Sequence, residues 1–236
     1  MNGPYSNEQG KMDECGVCSD EQGRLDCYEV KVTATLSELQ ECLEEQDDLD
    51  ARIIYLRGTI PSEHSESPAD VSIDEIVGRI RGYNREDSGI EKEHRQPIRL
   101  FIDSCGGDMF AGFKLVDAIS ASVTPVYTIN ESQCASMAFL IFITGHKRYS
   151  TERAIFHMHD GNLGVSNSTN KVFQTVDFYR EYEDAIVKPH ILERGNMSED
   201  EYETAKSKEY YMLAPKAADL GFVDEIITLN NCQILY

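Results

Sequence analysis

Two short segments hold the side chains best suited to making and breaking bonds: "FIDSCGGDMFAG", Phe101 to Gly112, and "QCASMAFLIFITG", Gln133 to Gly145. In the first, an apolar run enters Gly106-Gly107 and a helical pattern follows, so the glycines leave backbone N–H groups uncovered at a strand-to-helix turn. Amides placed like this can hold an anion or the oxyanion of a tetrahedral intermediate. The same pair also suits a tight turn that needs positive φ. Neither G-x-x-x-x-G-K-[ST] nor G-x-G-x-x-G occurs, which argues against a nucleotide phosphate as the anion.

In the second segment Ser136 stands between Ala135 and Ala138, where a strand ends and an apolar run begins. A helix starting there aims its dipole and its unpaired N–H groups at charge developing on the hydroxyl. An ordinary N-cap serine has the same signature. His157 closes the apolar stretch "AIF", where a strand can present an imidazole at the carboxyl edge of a sheet, the usual place for sites in α/β folds. From there it could deprotonate a serine. His159 falls on the same side of an extended segment, so a metal pair is the competing reading, with no third ligand nearby.

These residues need elements to hold them. "RIIYLRG" (Arg52 to Gly58) and "IRLFID" (Ile98 to Asp103) are short and apolar, as buried strands are. Ile73, Ile76, Val77 and Ile80 follow the i, i+3, i+4, i+7 rule behind a Ser72/Asp74 start signal, and Phe113, Val116 and Ile119 do so behind the glycine pair. A strand at Pro125 to Ile129, a helix from about Ser136, a strand ending near His157 and a long helix from Thr169 to Arg194 continue the pattern. A helix from Ser198 to Ser207, opened by "SEDE", and a strand from Asp224 to Leu229 end it. Strands joined by helices predict parallel pairing with right-handed crossovers, hence an α/β layered domain.

With 236 residues at 41% hydrophobic, the chain can bury a full core. Its 42 acidic against 22 basic side chains give a formal charge of −20, which repels phosphate backbones and anionic membranes and argues against both as partners. The polar start lacks the basic and apolar regions of a secretory signal, and the run Met137 to Ile143 is far below the roughly 18 to 20 residues that span a bilayer. Seven irregularly spaced cysteines fit reduced thiols in a cytoplasmic compartment. Cys15, Cys18 and Cys27 are read as free thiols rather than a zinc site, because no second ligand pair follows. Residues 1–28 are read as a flexible N-terminal arm and 29–236 as the folded domain; Pro61–Asp70 and Asn84–Pro97 are read as polar loops or frayed helix ends.

Four strings then resemble one family in order along the chain. "IDSCGGDMFAG" looks like the glycine segment of the Clp protease proteolytic subunit, ClpP; "CASMA" resembles its nucleophile motif; "ERAIFHMHDG" resembles its histidine segment; and "YYMLAPKAADLGFVDEII" is similar to its C-terminal motif. The resemblance implies the ClpP/crotonase-like spiral of ββα units with an outlying long helix. It implies a serine endopeptidase with Ser136 as nucleophile, His157 as general base, and Gly107 and Met137 supplying the oxyanion-hole amides. Histidine would take the hydroxyl proton, serine attack a peptide carbonyl, and water hydrolyse the acyl-enzyme. No cofactor and no metal are implied. Unfolded polypeptide as substrate, stacked heptameric rings and a AAA+ unfoldase partner follow by analogy.

The chain departs from the family pattern at four places. Glu209 stands where the family has its triad aspartate, one methylene longer yet able to orient an imidazole. Cys105 replaces the proline before the glycine pair, which removes a rigid turn residue. The path from Gly145 to His157 is a few residues short. Only Gly161 and Gly164 remain of the glycine-rich handle that joins rings. Three rival readings share the fold: a catalytically silent ring subunit, a phage or mobile-element peptidase without an ATPase, and a crotonase-type acyl-CoA enzyme.

Overall fold

The computed structural model describes residues 18–19, 25–26, 48–49, 51–62, 72–228 and 231–235, and the chain divides into two units, Met1–Glu45 and Gln46–Tyr236. In the first unit β1 (Cys18–Ser19) pairs antiparallel with β2 (Leu25–Asp26). The side chains of Cys15, Cys18 and Cys27 and most of the expected arm lie outside the described residues, as does most of the insert from Pro61 to Asp70.

The second unit contains strands β3 (Ile53–Ile60), β4 (Ile98–Gly107), β5 (Val126–Ala135), β6 (Lys147–Thr151), β7 (Ile155–Met158), β8 (Tyr210–Leu213) and β9 (Glu225–Ile227). They form one sheet in the order β3-β4-β5-β6-β9, all parallel, with β7 also pairing parallel to β5 and β8 antiparallel to β7. The strand period of two sorts the side chains onto two faces. Ile54, Leu56, Ile98, Leu100 and Ile102 join the main core under the helices. Ile53, Phe101, Ile129, Tyr149 and Ile227 form a smaller cluster on which Cys232 and Ile234 of the last 3-10 turn pack.

Helices follow the sequence signals closely. In α1 (Ile73–Glu86) the Ser72 hydroxyl accepts from the Glu75 N–H, and Ile73, Ile76, Val77, Ile80 and Tyr83 are the buried side. At α2 (Met109–Ser120) the Asp108 carboxylate caps the Ala111 N–H at 2.8 Å. The short α3 (Met137–Ile143) is buried at every residue. The segment expected as one long helix is α4 (Thr169–Tyr182), a π turn over Glu183–Val187, and α5 (Lys188–Arg194). A capping box between Ser198 and Glu201 opens α6 (Glu199–Lys206), and α7 (Ala214–Asp219) follows β8 directly. No helix among the described residues is long and apolar enough to cross a membrane.

A buried ion pair ties three elements at the sheet's amino end. The Arg52 guanidinium donates to both Asp87 oxygens at 2.8 Å, and the Thr124 hydroxyl donates to Asp87 at 2.7 Å, joining the entries of β3 and β5 to the end of α1. The Asp87 side chain is 1% exposed. The hydrogen bonds from Arg52 hold its carboxyl below the usual carboxylate range, with Thr124 adding to the effect. A depressed carboxyl contributes stability that is complete above the unfolded value of about 4 and is lost as pH falls through the folded value. Asp87→Ala leaves Arg52 only the exposed Glu86 carboxylate and the Gln96 carbonyl, so denaturant unfolding is expected to show a loss of about 3 kcal/mol. Asp87→Asn is expected to flatten the acid limb of Tm against pH below pH 4.

Candidate active site

The carboxyl ends of β4 and β5 meet at the first candidate segment. Gly106 (φ 87°) and Gly107 (φ 148°) occupy the region that favours glycine. A Cβ on Gly106 would lie 2.5 Å from the Ala135 carbonyl, 2.8 Å from the Met137 nitrogen and 2.9 Å from the Ser136 Cβ. One on Gly107 would lie 2.1 Å from the Ile60 carbonyl oxygen. The glycines are therefore needed both for their φ and for the close approach of three backbones. The Ser104 hydroxyl fixes the turn, donating to the Gly58 carbonyl at 2.6 Å and accepting from the Gly106 N–H at 3.1 Å. Cys105 is exposed, its sulfur 3.4 Å from the Thr59 hydroxyl and 3.9 Å from the Gly58 and Gly106 carbonyls.

Ser136 sits between β5 and α3 with φ 54° and ψ −124°, one of two non-glycine residues at positive φ among the described residues. Strain of this kind costs about 1–3 kcal/mol and persists only where the surroundings impose it. The N-cap alternative does not hold: the Ser136 side chain makes no capping hydrogen bond. Its hydroxyl enters no hydrogen bond among the described residues, while its backbone is fully used. Its N–H donates to the His157 carbonyl at 2.9 Å, and its own carbonyl accepts from Phe139 at 3.0 Å. Met137 is the first residue of α3, so its N–H has no acceptor within the helix. The far end of that helix is held by the half-buried His190 of α5, whose Nε2–H donates to the Leu140 carbonyl at 3.1 Å; burial lowers this imidazole's pKa.

His157 lies opposite Ala135 across the β5–β7 ladder and opposite Tyr211 across the β7–β8 ladder. Its ring meets the carboxylate of Glu209, the residue before β8, through Nε2 and Oε2 at 2.5 Å. An ionised carboxylate only accepts, so Nε2 carries the proton and the lone pair of the neutral ring is on Nδ1. The imidazole is 14% exposed and the glutamate 66%. The Tyr211 ring stacks on the imidazole at 4.1 Å and 6°, and the His159 ring lies near-parallel to it at 4.9 Å. Among the described residues, no three His, Cys, Asp or Glu side chains gather as a metal site.

The structure thus brings Gly107, Ser136, Met137, His157 and Glu209 to one edge, on the ends of adjacent strands. It does not join Ser136 to His157 by a side-chain hydrogen bond. Tyr211 was not singled out from sequence; its signal is its position two residues after Glu209, at the start of an extended segment.

Comparison with known proteins identifies the family. The Clp protease family matches residues 90–230, more than half of the chain. The chain is 26% identical over 139 residues to the ATP-dependent Clp protease proteolytic subunit 2 of Bifidobacterium longum, covering 58% of this chain and 67% of that protein. It is 26% identical over 187 residues to the protein of the same name from Treponema pallidum, covering 77% and 85%. To the ATP-dependent Clp protease proteolytic subunit of Streptococcus agalactiae it is 27% identical over 190 residues, covering 77% and 87%. With this match lying on a mostly parallel α/β sheet, the chain belongs to the Clp protease family.

Proposed function

We propose that the chain is a serine endopeptidase that cleaves unfolded polypeptide through an acyl-enzyme, with Ser136 as nucleophile, His157 as general base and Glu209 as the acid. The observation that carries this reading is the meeting of a strained serine, the Gly106-Gly107 turn and a histidine paired to a carboxylate on neighbouring strand ends. The ring nitrogen bearing the lone pair takes the Ser136 proton as Oγ attacks the carbonyl carbon. The oxyanion is received by the N–H groups of Gly107 and Met137, and Glu209 stabilises the imidazolium. The C–N bond then breaks, the proton passes to the leaving amine, and water repeats the cycle on the ester. Because Glu209 holds Nε2 at rest, Nδ1 serves Ser136, or a half-turn of the ring exchanges the two nitrogens.

The same reading supports a homo-oligomeric ring. Helix α4 buries none of its residues, and Phe173, Phe178 and Ile186 stand exposed along it and the π turn. Apolar side chains left uncovered in series mark a contact surface. The relatives' names, which describe ATP-dependent proteases, support an ATPase that delivers substrate.

Three measurements test the proposal. Intact-mass analysis after a fluorophosphonate is expected to show one adduct on the wild-type chain and none on Ser136→Ala, and peptide hydrolysis is expected to fall by about 10⁴-fold or more in Ser136→Ala and His157→Ala. A folded wild-type chain that takes no label overturns the peptidase reading. Glu209→Gln is expected to lower kcat about 10³- to 10⁴-fold, and an unchanged kcat removes Glu209 from the triad. Gly106→Ala pushes a methyl into the Ser136 elbow, with an expected loss of at least about 100-fold in labelling rate. In sedimentation velocity the chain is expected to run as a ring; a monomer at every concentration would exclude the chamber.

A further inference from the structure

We infer that Tyr211 is a positioning residue for His157, its ring serving as the flat wall against which the imidazole is held while it moves a proton. This rests on the serine-peptidase reading of the site. The two rings stack at a 4.1 Å centroid distance and 6° between planes, on residues paired across β7 and β8. Tyr211 is not there to fill the core: it is 63% exposed. Its hydroxyl enters no hydrogen bond among the described residues, so the stack with His157 is what its ring does.

The wall answers a need that the acid leaves unmet. The second torsion of a histidine is broad and roughly two-fold, so a ring with one hydrogen bond can still rock about it. Its partner Glu209 is exposed, on a side chain with three rotatable bonds, and a mobile carboxylate follows a rocking ring rather than stopping it. A parallel ring at contact distance blocks the rocking on that side by simple repulsion. It also favours the ring once protonated, because the face of a phenol attracts a cation. The flat ring carries both effects and the hydroxyl neither.

The test uses the full chain with Tyr211→Ala, Tyr211→Leu and Tyr211→Phe, each checked by its melting curve. The expected result is a kcat about 10- to 100-fold lower in Ala and Leu with KM within about twofold of wild type, and a labelling rate of Ser136 by a fluorophosphonate lowered by the same factor. Tyr211→Phe is expected to restore both. In NMR spectra the His157 ring protons are expected upfield in wild type and Phe and shifted back in Ala and Leu, whatever the activity. The inference is overturned if Ala labels at the wild-type rate, or if the loss lies in KM with labelling untouched, which would make Tyr211 a substrate contact. It is also overturned if Phe is as impaired as Ala. A wild-type chain that never labels overturns the peptidase reading beneath it, whereas normal wild-type labelling with an unaffected Ala variant overturns the wall alone.

Discussion

Strand β5 changes partner halfway along, and the site exists because of that change. Its first part, through Asn130, pairs with β6; its last part, from Gln133, pairs with β7. Between them the strand has no ladder partner on that side, and side chains stitch the gap: Asn130 donates to the Ile155 carbonyl at 3.0 Å, and the Thr151 hydroxyl donates to the Glu131 carbonyl at 3.0 Å. On the opposite side β4 shifts register against β5 at the same level, between Ile102 and Ser104. Both neighbours are thereby re-aimed toward the end of β5, as bulges do near active sites. The bond from the Ser136 N–H to the His157 carbonyl is the last rung of the new pairing.

A strained serine at that point must be held by something stronger than the strain. Seven residues are too few for a helix to stand alone in water, so α3 exists through burial rather than propensity. Phe139, Ile141, Phe142 and Ile143 are fully covered, and burial of each such side chain is worth about 1.5–3 kcal/mol. That sum exceeds the about 1–3 kcal/mol cost of one unfavourable φ. The packing is tight beside the site as well: a Cβ on Gly112 of α2 would lie 2.1 Å from the Met137 side chain, so α2 and α3 approach at a glycine and leave Ser136 little freedom to relax.

What could be read from sequence was whatever carried a period or a special residue. The apolar repeat of α1, the glycine pair and the serine at the head of an apolar run announce themselves, because burial and positive φ restrict which residues can stand there. Strand β6 was missed: "KRYST" is mostly polar, and its Lys147 and Arg148 are matched by Glu225 and Asp224, partners far away in sequence. The π turn in the long helix was missed for a similar reason. It is accompanied by Glu183 accepting from the Tyr202 hydroxyl and pairing with Lys206, contacts that no local pattern encodes. Glu209 could be placed by its motif, but which imidazole nitrogen it reaches depends on side-chain length and strand pairing together.

That dependence bears on how the site is ordered. A hydrogen bond to a carboxylate two-thirds exposed competes with water and contributes on the order of 1 kcal/mol or less. Glutamate also loses more side-chain freedom than aspartate when it is fixed, which reduces the gain further. The carboxylate therefore selects the tautomer more than it builds the geometry. His157 is located by backbone pairing to Ala135 on one side and Tyr211 on the other, neither of which depends on the length of the acid. In the proposed triad a lattice of that kind is expected to tolerate glutamate in place of aspartate, because the longer side chain has only to find a ring whose position is already set.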